Sequence, residues 1–355
     1  MSTPEEIMNA LRTGVAVTRA KHVHALRLSG PGALDLLDAV TTSRLFAREN
    51  QMLQTLLLDA AGSPFADAFV CLDEDSWILL AEGPSFDALR AHLERVRLAR
   101  APAAEVAITD LLTLNELWNI DGPFAWEATA ALLGPEILGA PYLSFMHLRE
   151  ATCFRAGKTG EFGYCLLVAK AKAAALWARL LAIGAPLGLL EADLAALDQC
   201  ALENWHFTIR ALDPALCLLP AELQLQWRVD AGKQFEGAEA MRAKLAQGCT
   251  RRLTCFVAKT QVAPGQEVRL DDQRIGAVLQ AGYSSTRGDW VGWAVLDTAQ
   301  AWAGIRRYHV VGAAGPVPIE TSSPPVIDNR SLFVDPRKHT WRTRDEQGFP
   351  PLVQR

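Results

Sequence analysis

The feature that most constrains the fold is an alternation of strand-like and helix-like segments that occurs twice in the first 245 residues. The first copy is predicted to contain a strand at 24–28, a helix at 33–40, strands at 52–58, 65–72 and 77–81, and a helix opening at 84. The second copy is predicted to contain strands at 106–112 and 114–120, a helix after 123, strands near 150–154 and 164–168, and a helix at 171–183. The repeat predicts two α+β units of the same kind.

The pattern changes after a short predicted helix at 238–245. Short strands separated by turn residues are predicted at 252–257, 267–270, 274–281, 290–296 and 306–311. This spacing favours a small barrel or sandwich. Residues 312–355 are rich in Pro and Ser, and from Lys338 onward the chain is strongly charged and is expected to lie on the surface or fray. The expected domains are an α+β region at 1–245, a β-barrel at 246–338 and a charged tail at 339–355.

Composition narrows the class of protein. Half of the 355 residues are hydrophobic and 21% are charged, which is typical of a globular chain of about two domains. The net charge of −5, with no basic stripe, argues against a nucleic acid partner. Seven cysteines without a CxxC pair indicate free thiols in a reducing compartment. Without a visible secretory signal or a long apolar run, the sequence predicts a cytoplasmic protein with no membrane partner, and its oligomeric state stays open.

Common enzymatic motifs are absent, including the P-loop, the dinucleotide-binding GxGxxG and the zinc-binding HExxH. His22 and His24 share a strand face but have no third ligand at metal-site spacing, so no metal is expected. The segment that stands out is RAGKTGEFGY at 155–164, because three glycines in seven residues imply positive φ or close backbone approach. On pattern alone it is either a tight turn or a ligand-binding loop.

Seven segments together resemble, in order, the motifs of the glycine-cleavage T-protein (aminomethyltransferase) family. They are LRLSGPGA at 26–33, LLDAAGSPFADAFV at 57–70, IDGPFA at 120–125, RAGKTGEFGY at 155–164, LPAEL at 219–223 with Trp227 and KQFEG at 233–237, RIGAVLQAGYS at 274–284, and LFVDP at 332–336 with Arg342. The resemblance covers about residues 20 to 342, and the shared order is far more specific than any single motif.

The resemblance implies an α+β fold in which two ferredoxin-like units form a folate-binding T-protein-like domain, followed by a small C-terminal β-barrel. It also implies tetrahydrofolate as cofactor and a small-molecule donor or acceptor of a methyl or methylene unit. Asp67 lies at the position of the family's functional aspartate. A carboxylate there would stabilise positive charge near the folate amine, whereas the alternative is a solvent-facing or turn-bonded Asp. The other residues carried over by the resemblance are Arg155, Gly160, Glu161, Tyr164 and Trp227 for the cofactor and Phe333 for the substrate.

The sequence also departs from the family pattern. Cys165 stands where the family has the carboxylate that accepts hydrogen bonds from the pterin, and a thiol is a weak acceptor. Leu197 replaces a family Arg, and Glu82 replaces an Asn on the third strand. Glu82 and Glu203 are candidate substitutes for the lost carboxylate, and a surface Glu and a helix-packing Glu are the respective alternatives.

A second candidate group follows the helix that precedes the family's linker. Trp205, His206 and Arg210 together would suit a flat or acidic substrate. Core packing by the Trp beside a solvated Arg is the alternative.

The sequence therefore predicts a tetrahydrofolate-dependent one-carbon transferase or demethylase with a specialised small substrate. One alternative is a non-catalytic folate-type binder related to iron–sulfur assembly factors, whose K-G-C-Y-x-G-Q-E loop has no matching Cys here. The other alternative, motivated by Cys165 and Leu197, is an enzyme that kept the scaffold and abandoned folate.

Overall fold

The computed structural model describes residues 2–100 and 105–353, and the chain divides into two compact units. The first unit comprises residues 1–20, 114–207 and 254–355, and the second comprises 21–113 and 208–253. Within the described ranges, no helix has the length and apolar character needed to cross a membrane.

The elements below are those formed by the described residues. The α-helices are α1 (Pro4–Thr13), α2 (Ala33–Val40), α3 (Phe86–Arg100), α4 (Ala125–Leu133), α5 (Lys170–Gly184), α6 (Leu194–Asn204) and α7 (Ala238–Leu245). The strands before the barrel are β1 (Ala16–Arg19), β2 (Val23–Ser29), β3 (Met52–Leu58), β4 (Pro64–Asp73), β5 (Ser76–Glu82), β6 (Ala107–Asp110), β7 (Asn115–Asp121), β8 (Phe145–His147), β9 (Thr152–Phe154), β10 (Gly163–Ala169) and β11 (Leu190–Glu191). The barrel strands are β12 (Arg251–Ala258), β13 (Glu267–Leu270), β14 (Gln273–Ser284), β15 (Asp289–Asp297), β16 (Tyr308–Gly312) and β17 (Gly315–Ser322).

The second unit contains a five-stranded sheet in the order β3-β4-β5-β2-β6, with each neighbouring pair antiparallel. Helices α2 and α3 share one hydrophobic core with one face of this sheet. In α3, Leu89, Leu93 and Val96 recur at helical spacing and are fully buried, as the sequence predicted. Alternate residues of β4 and β5 therefore point towards the helices or away from them.

The sheet of the first unit has the order β11-β1-β7-β10-β9-β8. Its chain order β7-α4-β8-β9-β10-α5-β11 matches β2-α2-β3-β4-β5-α3-β6 of the second unit, so the predicted internal repeat is confirmed. The strand predicted at 106–112 was wrongly assigned to the second copy, because β6 pairs with β2 and completes the first copy. The difference is the N-terminal strand β1, which lies between β7 and β11 and pairs with both. The copy of the repeat in the first unit thus contains one additional strand, β1.

The predicted C-terminal barrel is confirmed and is closed, in the order β12-β15-β14-β13-β16-β17. Strand β17 lies within the range 246–338 expected for the barrel, but no strand was predicted there, because the chain from residue 312 is rich in Pro and Ser. Pro316 and Pro318 lie in this strand, but its pairing with β12 begins only at Ile319. At the two prolines β17 therefore has only one neighbouring strand. The absence of an N–H donor at each proline then costs no hydrogen bond to a second strand, unlike in a central strand.

The expectation that the C-terminal tail frays is also wrong for the residues that the structure describes. Trp341 packs edge-on against Phe124, with ring centroids 5.7 Å apart. A side chain added at Gly14 or Gly188 would come within 3.1 or 2.8 Å of the Trp341 ring. Phe349 also packs against the hydrophobic core of the first unit. Apolar side chains thus anchor a segment whose charge suggested a solvated tail.

Candidate functional site

Two carboxylates lie side by side on one face of the sheet of the second unit. Asp67 on β4 lies directly opposite Glu82 on β5 in the antiparallel register. The neighbouring residues Ala66, Ala68 and Ala81 point into the core beneath the helices, so both carboxylates lie on the other face. Asp67 is only 4% exposed and Glu82 only 5%. The carboxylate at position 67 is therefore neither solvent-facing nor in a turn.

Arg228 forms a buried ion pair with Asp67. Its Nη1 donates to Asp67 Oδ1 at 2.7 Å, and Arg228 is 5% exposed. The Trp227 ring lies 4.8 Å from the Arg228 guanidinium carbon and is itself 64% exposed. The hydrogen bond from Arg228 to Asp67 joins two charged groups, and such charge-assisted bonds are about twice as strong as bonds between neutral groups. Asp67 is thus held by a guanidinium that the sequence analysis did not single out.

Glu82 has a guanidinium partner of its own. Arg210 Nη1 donates to Glu82 Oε2 at 2.6 Å, and His22 Nε2 lies 3.7 Å from the same oxygen. Like charges directly opposite on adjacent strands destabilise a sheet unless they are compensated. The two arginines provide that compensation, so the site contains two carboxylates and two guanidinium groups.

The glycines of residues 155–164 allow close packing within the first unit. A side chain added at Gly160, whose φ is +80°, would come within 2.5 Å of Asn204. One added at Gly157 or Gly163 would come within 3.0 or 2.9 Å of Asp121 Oδ1. Backbone close approach therefore accounts for all three glycines.

Arg155 and Tyr164 contact each other at the two ends of this segment. The Arg155 guanidinium carbon lies 4.6 Å from the centre of the Tyr164 ring and 5.0 Å from that of Phe162. Arg155 Nη1 donates to the carbonyl oxygen of Gly163 at 2.8 Å. Burial raises the pKa of Tyr164 to about 12, so its hydroxyl stays protonated at neutral pH. These contacts hold the two ends of the glycine segment together.

Glu161, predicted to bind the cofactor, binds backbone groups in the structure. Its carboxylate accepts hydrogen bonds from Arg330 N at 3.0 Å, Ser331 N at 2.7 Å and Ser331 Oγ at 2.5 Å. Burial raises its pKa, although Arg12 and Ser331 act in the opposite direction. These bonds fix the short 3₁₀ helix Arg330–Leu332.

Glu203 is fully buried and paired with Arg12 from α1. Its Oε2 accepts from Arg12 Nε at 3.1 Å and from Arg12 Nη2 at 2.5 Å, and its Oε1 accepts from Gln199 at 3.3 Å. Arg12 Nη1 also donates to the carbonyl oxygen of Thr159 at 2.6 Å. The Glu203 carboxylate, considered as a substitute for the one lost at Cys165, thus joins α6 to α1, and Arg12 joins α1 to the glycine segment.

Cys165 and Asp121 lie on neighbouring strands of the first unit, with Asp121 opposite Gly163 in the register. Burial raises the pKa of the Cys165 thiol well above its usual range, so the thiol is neutral at physiological pH. Burial also raises the pKa of Asp121 to about 7, while a hydrogen bond from Thr159 at 3.2 Å opposes the rise. The sequence analysis did not single out Asp121. The available signal was the Asp of IDGPFA, one of the segments that carry the family resemblance.

The second predicted group is divided between the two units. Trp205 and His206 belong to the first unit and Arg210 to the second. Trp205 ends α6 with a φ of +62°, and its ring lies edge-on to Trp293 at 5.1 Å. Phe333, in the first unit, is 41% exposed. Trp205 therefore makes an aromatic contact within the first unit, while Arg210 binds Glu82 and is not the solvated Arg of the alternative interpretation.

The features to compare with known proteins are two repeated α+β units, a closed barrel and a buried pair of carboxylates. Residues 3–233 match the family described as the GCVT N-terminal domain, and residues 251–328 match the glycine cleavage T-protein C-terminal barrel domain. The chain therefore belongs to the glycine cleavage T-protein family.

Similar individual proteins agree with this family. The chain is 30% identical over 297 residues to an aminomethyltransferase of Parafrankia sp., with 81% of this chain and 80% of that protein covered. It is 28% identical over 319 residues to an aminomethyltransferase of Frankia alni, covering 87% and 86%. The crystal structure of the glycine cleavage system aminomethyltransferase T from Bartonella henselae superposes with a TM-score of 0.79 at 20% identity, covering 90% and 88%. The last match shows the shared fold, and the relatives place the chain among transferases.

Proposed function

We propose that the protein is a tetrahydrofolate-dependent one-carbon transferase that acts on a specialised small substrate in the cytoplasm. Family membership supports the reaction class. The observation that carries the proposal is the buried Asp67 carboxylate, held by Arg228 at the position of the family's functional aspartate. When bound, tetrahydrofolate would supply the secondary amine that carries the one-carbon unit. A fixed carboxylate stabilises positive charge that develops at such an amine, most strongly where water is excluded.

The residues of the first unit fit a pterin less well. The donor edge of a pterin requires acceptor oxygens, and a carboxylate provides two of them. Cys165 offers a neutral thiol instead, and the oxygens of Glu161 and Glu203 already bind groups of the chain. These observations favour a second candidate function, namely an enzyme on the same scaffold that no longer uses folate.

Calorimetric titration with tetrahydrofolate and 5-methyltetrahydrofolate separates the candidates. The informative variant is Asp67→Asn, and Asp35→Asn on the exposed face of α2 is the matched control. Micromolar binding that is lost in Asp67→Asn and kept in Asp35→Asn supports the transferase. Binding that Asp67→Asn leaves unchanged supports a folate-type binder without a role for this aspartate. Absence of binding by a folded wild-type protein supports the scaffold without folate.

A further inference from the structure

We propose that Arg228 is a positioning residue that fixes Asp67 as an oriented negative charge, so that Asp67 does not serve as a proton acceptor. This inference rests on the proposed function, because it assigns a role within the same site. It concerns residues of the second unit only.

Both partners of the ion pair are fixed by backbone contacts. Asp67 lies on β4, which pairs with β3 on one side and β5 on the other. Arg228 ends the short 3₁₀ helix Gln226–Arg228, and its carbonyl oxygen accepts a hydrogen bond from Thr42 Oγ1 at 2.8 Å. The 2.7 Å bond from Arg228 Nη1 to Asp67 Oδ1 joins two such anchored residues and constrains the direction of the carboxylate.

The charges around Asp67 make the guanidinium necessary. Glu82 lies directly opposite, so two negative charges lie close together on one face of the sheet. Arg228 stays charged at every pH that a protein tolerates, so it offsets this repulsion permanently. If Asp67 took up a proton, it would leave the charge of Arg228 unpaired in a buried position, which is costly. The arrangement therefore suits a constant charge and opposes proton transfer.

The hydrogen bonding of Arg228 also points to a role beyond structure. Its Nε is buried and has no hydrogen-bond partner among the described residues. Buried donors in folded proteins are almost always paired, and exceptions often occur at functional sites. The guanidinium is thus oriented towards Asp67 through Nη1, although this orientation leaves Nε without a partner among the described residues.

Binding titrations of three variants test the inference. Arg228→Gln removes the charge, Arg228→Lys keeps it, and Arg44→Gln breaks the exposed ion pair with Asp230 as the matched control. We expect Arg228→Gln to weaken tetrahydrofolate binding by about tenfold or more, and the other two variants to keep near wild-type affinity.

Thermal unfolding separates positioning from stability alone. The double variant Asp67→Asn/Arg228→Gln replaces the ion pair by two amides of similar shape, so we expect it to unfold at a higher temperature than Arg228→Gln while still binding weakly. If Arg228→Gln lowers the unfolding temperature but the folded protein binds tetrahydrofolate as the wild type does, the inference is overturned and the proposed function stands. If the folded wild-type protein does not bind tetrahydrofolate, the proposed function fails and the inference fails with it.

Discussion

Asp67 and Glu82 lie opposite each other on adjacent antiparallel strands, both almost fully buried, and each is bound by its own arginine. Neither carboxylate can be understood alone, because removing either guanidinium breaks one of the two ion pairs while both negative charges stay on one face of the sheet. The stability of the second unit and the charge presented at position 67 are therefore linked. The two ion pairs, Asp67–Arg228 and Glu82–Arg210, are therefore the first interactions to test.

Arg210→Met should destabilise the protein by about 1–3 kcal/mol, because it removes the guanidinium from a Glu82 that still faces Asp67. Adding Glu82→Gln should recover most of this loss, since the amide carries no charge. Urea unfolding of the two variants and the wild type measures both effects. A double variant as unstable as Arg210→Met would contradict the prediction.

Asp121→Asn should change how stability depends on pH. Burial raises the pKa of Asp121 to about 7, from an ordinary value of 3.8. The unfolded chain therefore releases this proton first as pH rises, and the contribution of Asp121 to stability falls between about pH 4 and pH 7. Asparagine does not ionise. Relative to the wild type, the variant should gain on the order of 2 kcal/mol between pH 5 and pH 8.

Urea unfolding at the two pH values checks this difference, with Asp35→Asn as the exposed control. The hydrogen bond from Thr159 can still be accepted by the asparagine oxygen, so the change isolates the ionisation. Parallel pH dependences of wild type and Asp121→Asn would show that the carboxyl is ionised throughout this range.

His92→Phe should make the protein less sensitive to acid. Burial, and then the charge of Arg95, lower the pKa of His92 to about 4, and its buried Nε2 has no partner among the described residues. Below about pH 6.5 the unfolded chain takes up the proton first, so stability is lost as pH falls towards 4. Phenylalanine keeps the stacking on Phe65, whose ring centroid is 4.6 Å away, and does not titrate.

We expect the variant to lose on the order of 1 kcal/mol less than the wild type between pH 7 and pH 5. Thermal unfolding in matched buffers measures this, and His147→Phe on an exposed strand position is the control. An equal acid sensitivity of His92→Phe and the wild type would rule out His92 as its source.

Local periodicity was enough to predict most of the fold. The buried stripe of α3 and the strands β2 to β5 follow from spacings within a few residues, and the sequence shows these directly. Strands β1 and β11 were not predicted, because they have only four and two residues and pair with distant segments. Strand β17 was not predicted, because its prolines suggest a loop unless its pairing with β16 is known.

The candidate site was predictable only in part, for a related reason. Asp67 lies in a recognisable motif, but its partner Arg228 is 161 positions away, and no local pattern links them. Glu203 was considered as a folate ligand because its partner Arg12, 191 positions away, could not be inferred from spacing. Motif resemblance thus located the carboxylates, while only the fold shows which of them already have partners.

Trp341→Ala should destabilise the first unit by about 2–4 kcal/mol, although it lies in a segment whose composition suggests a loose tail. The ring packs on Phe124, and Gly14 and Gly188 leave room for it, so truncation opens a cavity that backbone cannot readily fill. Trp302→Ala is the matched control, because that ring is 62% exposed. Urea unfolding compares the two, and limited proteolysis followed by mass spectrometry locates new cleavage. We expect cleavage after residue 330 in Trp341→Ala alone. Equal stability of the two variants would mean that the packing of Trp341 does not stabilise the first unit.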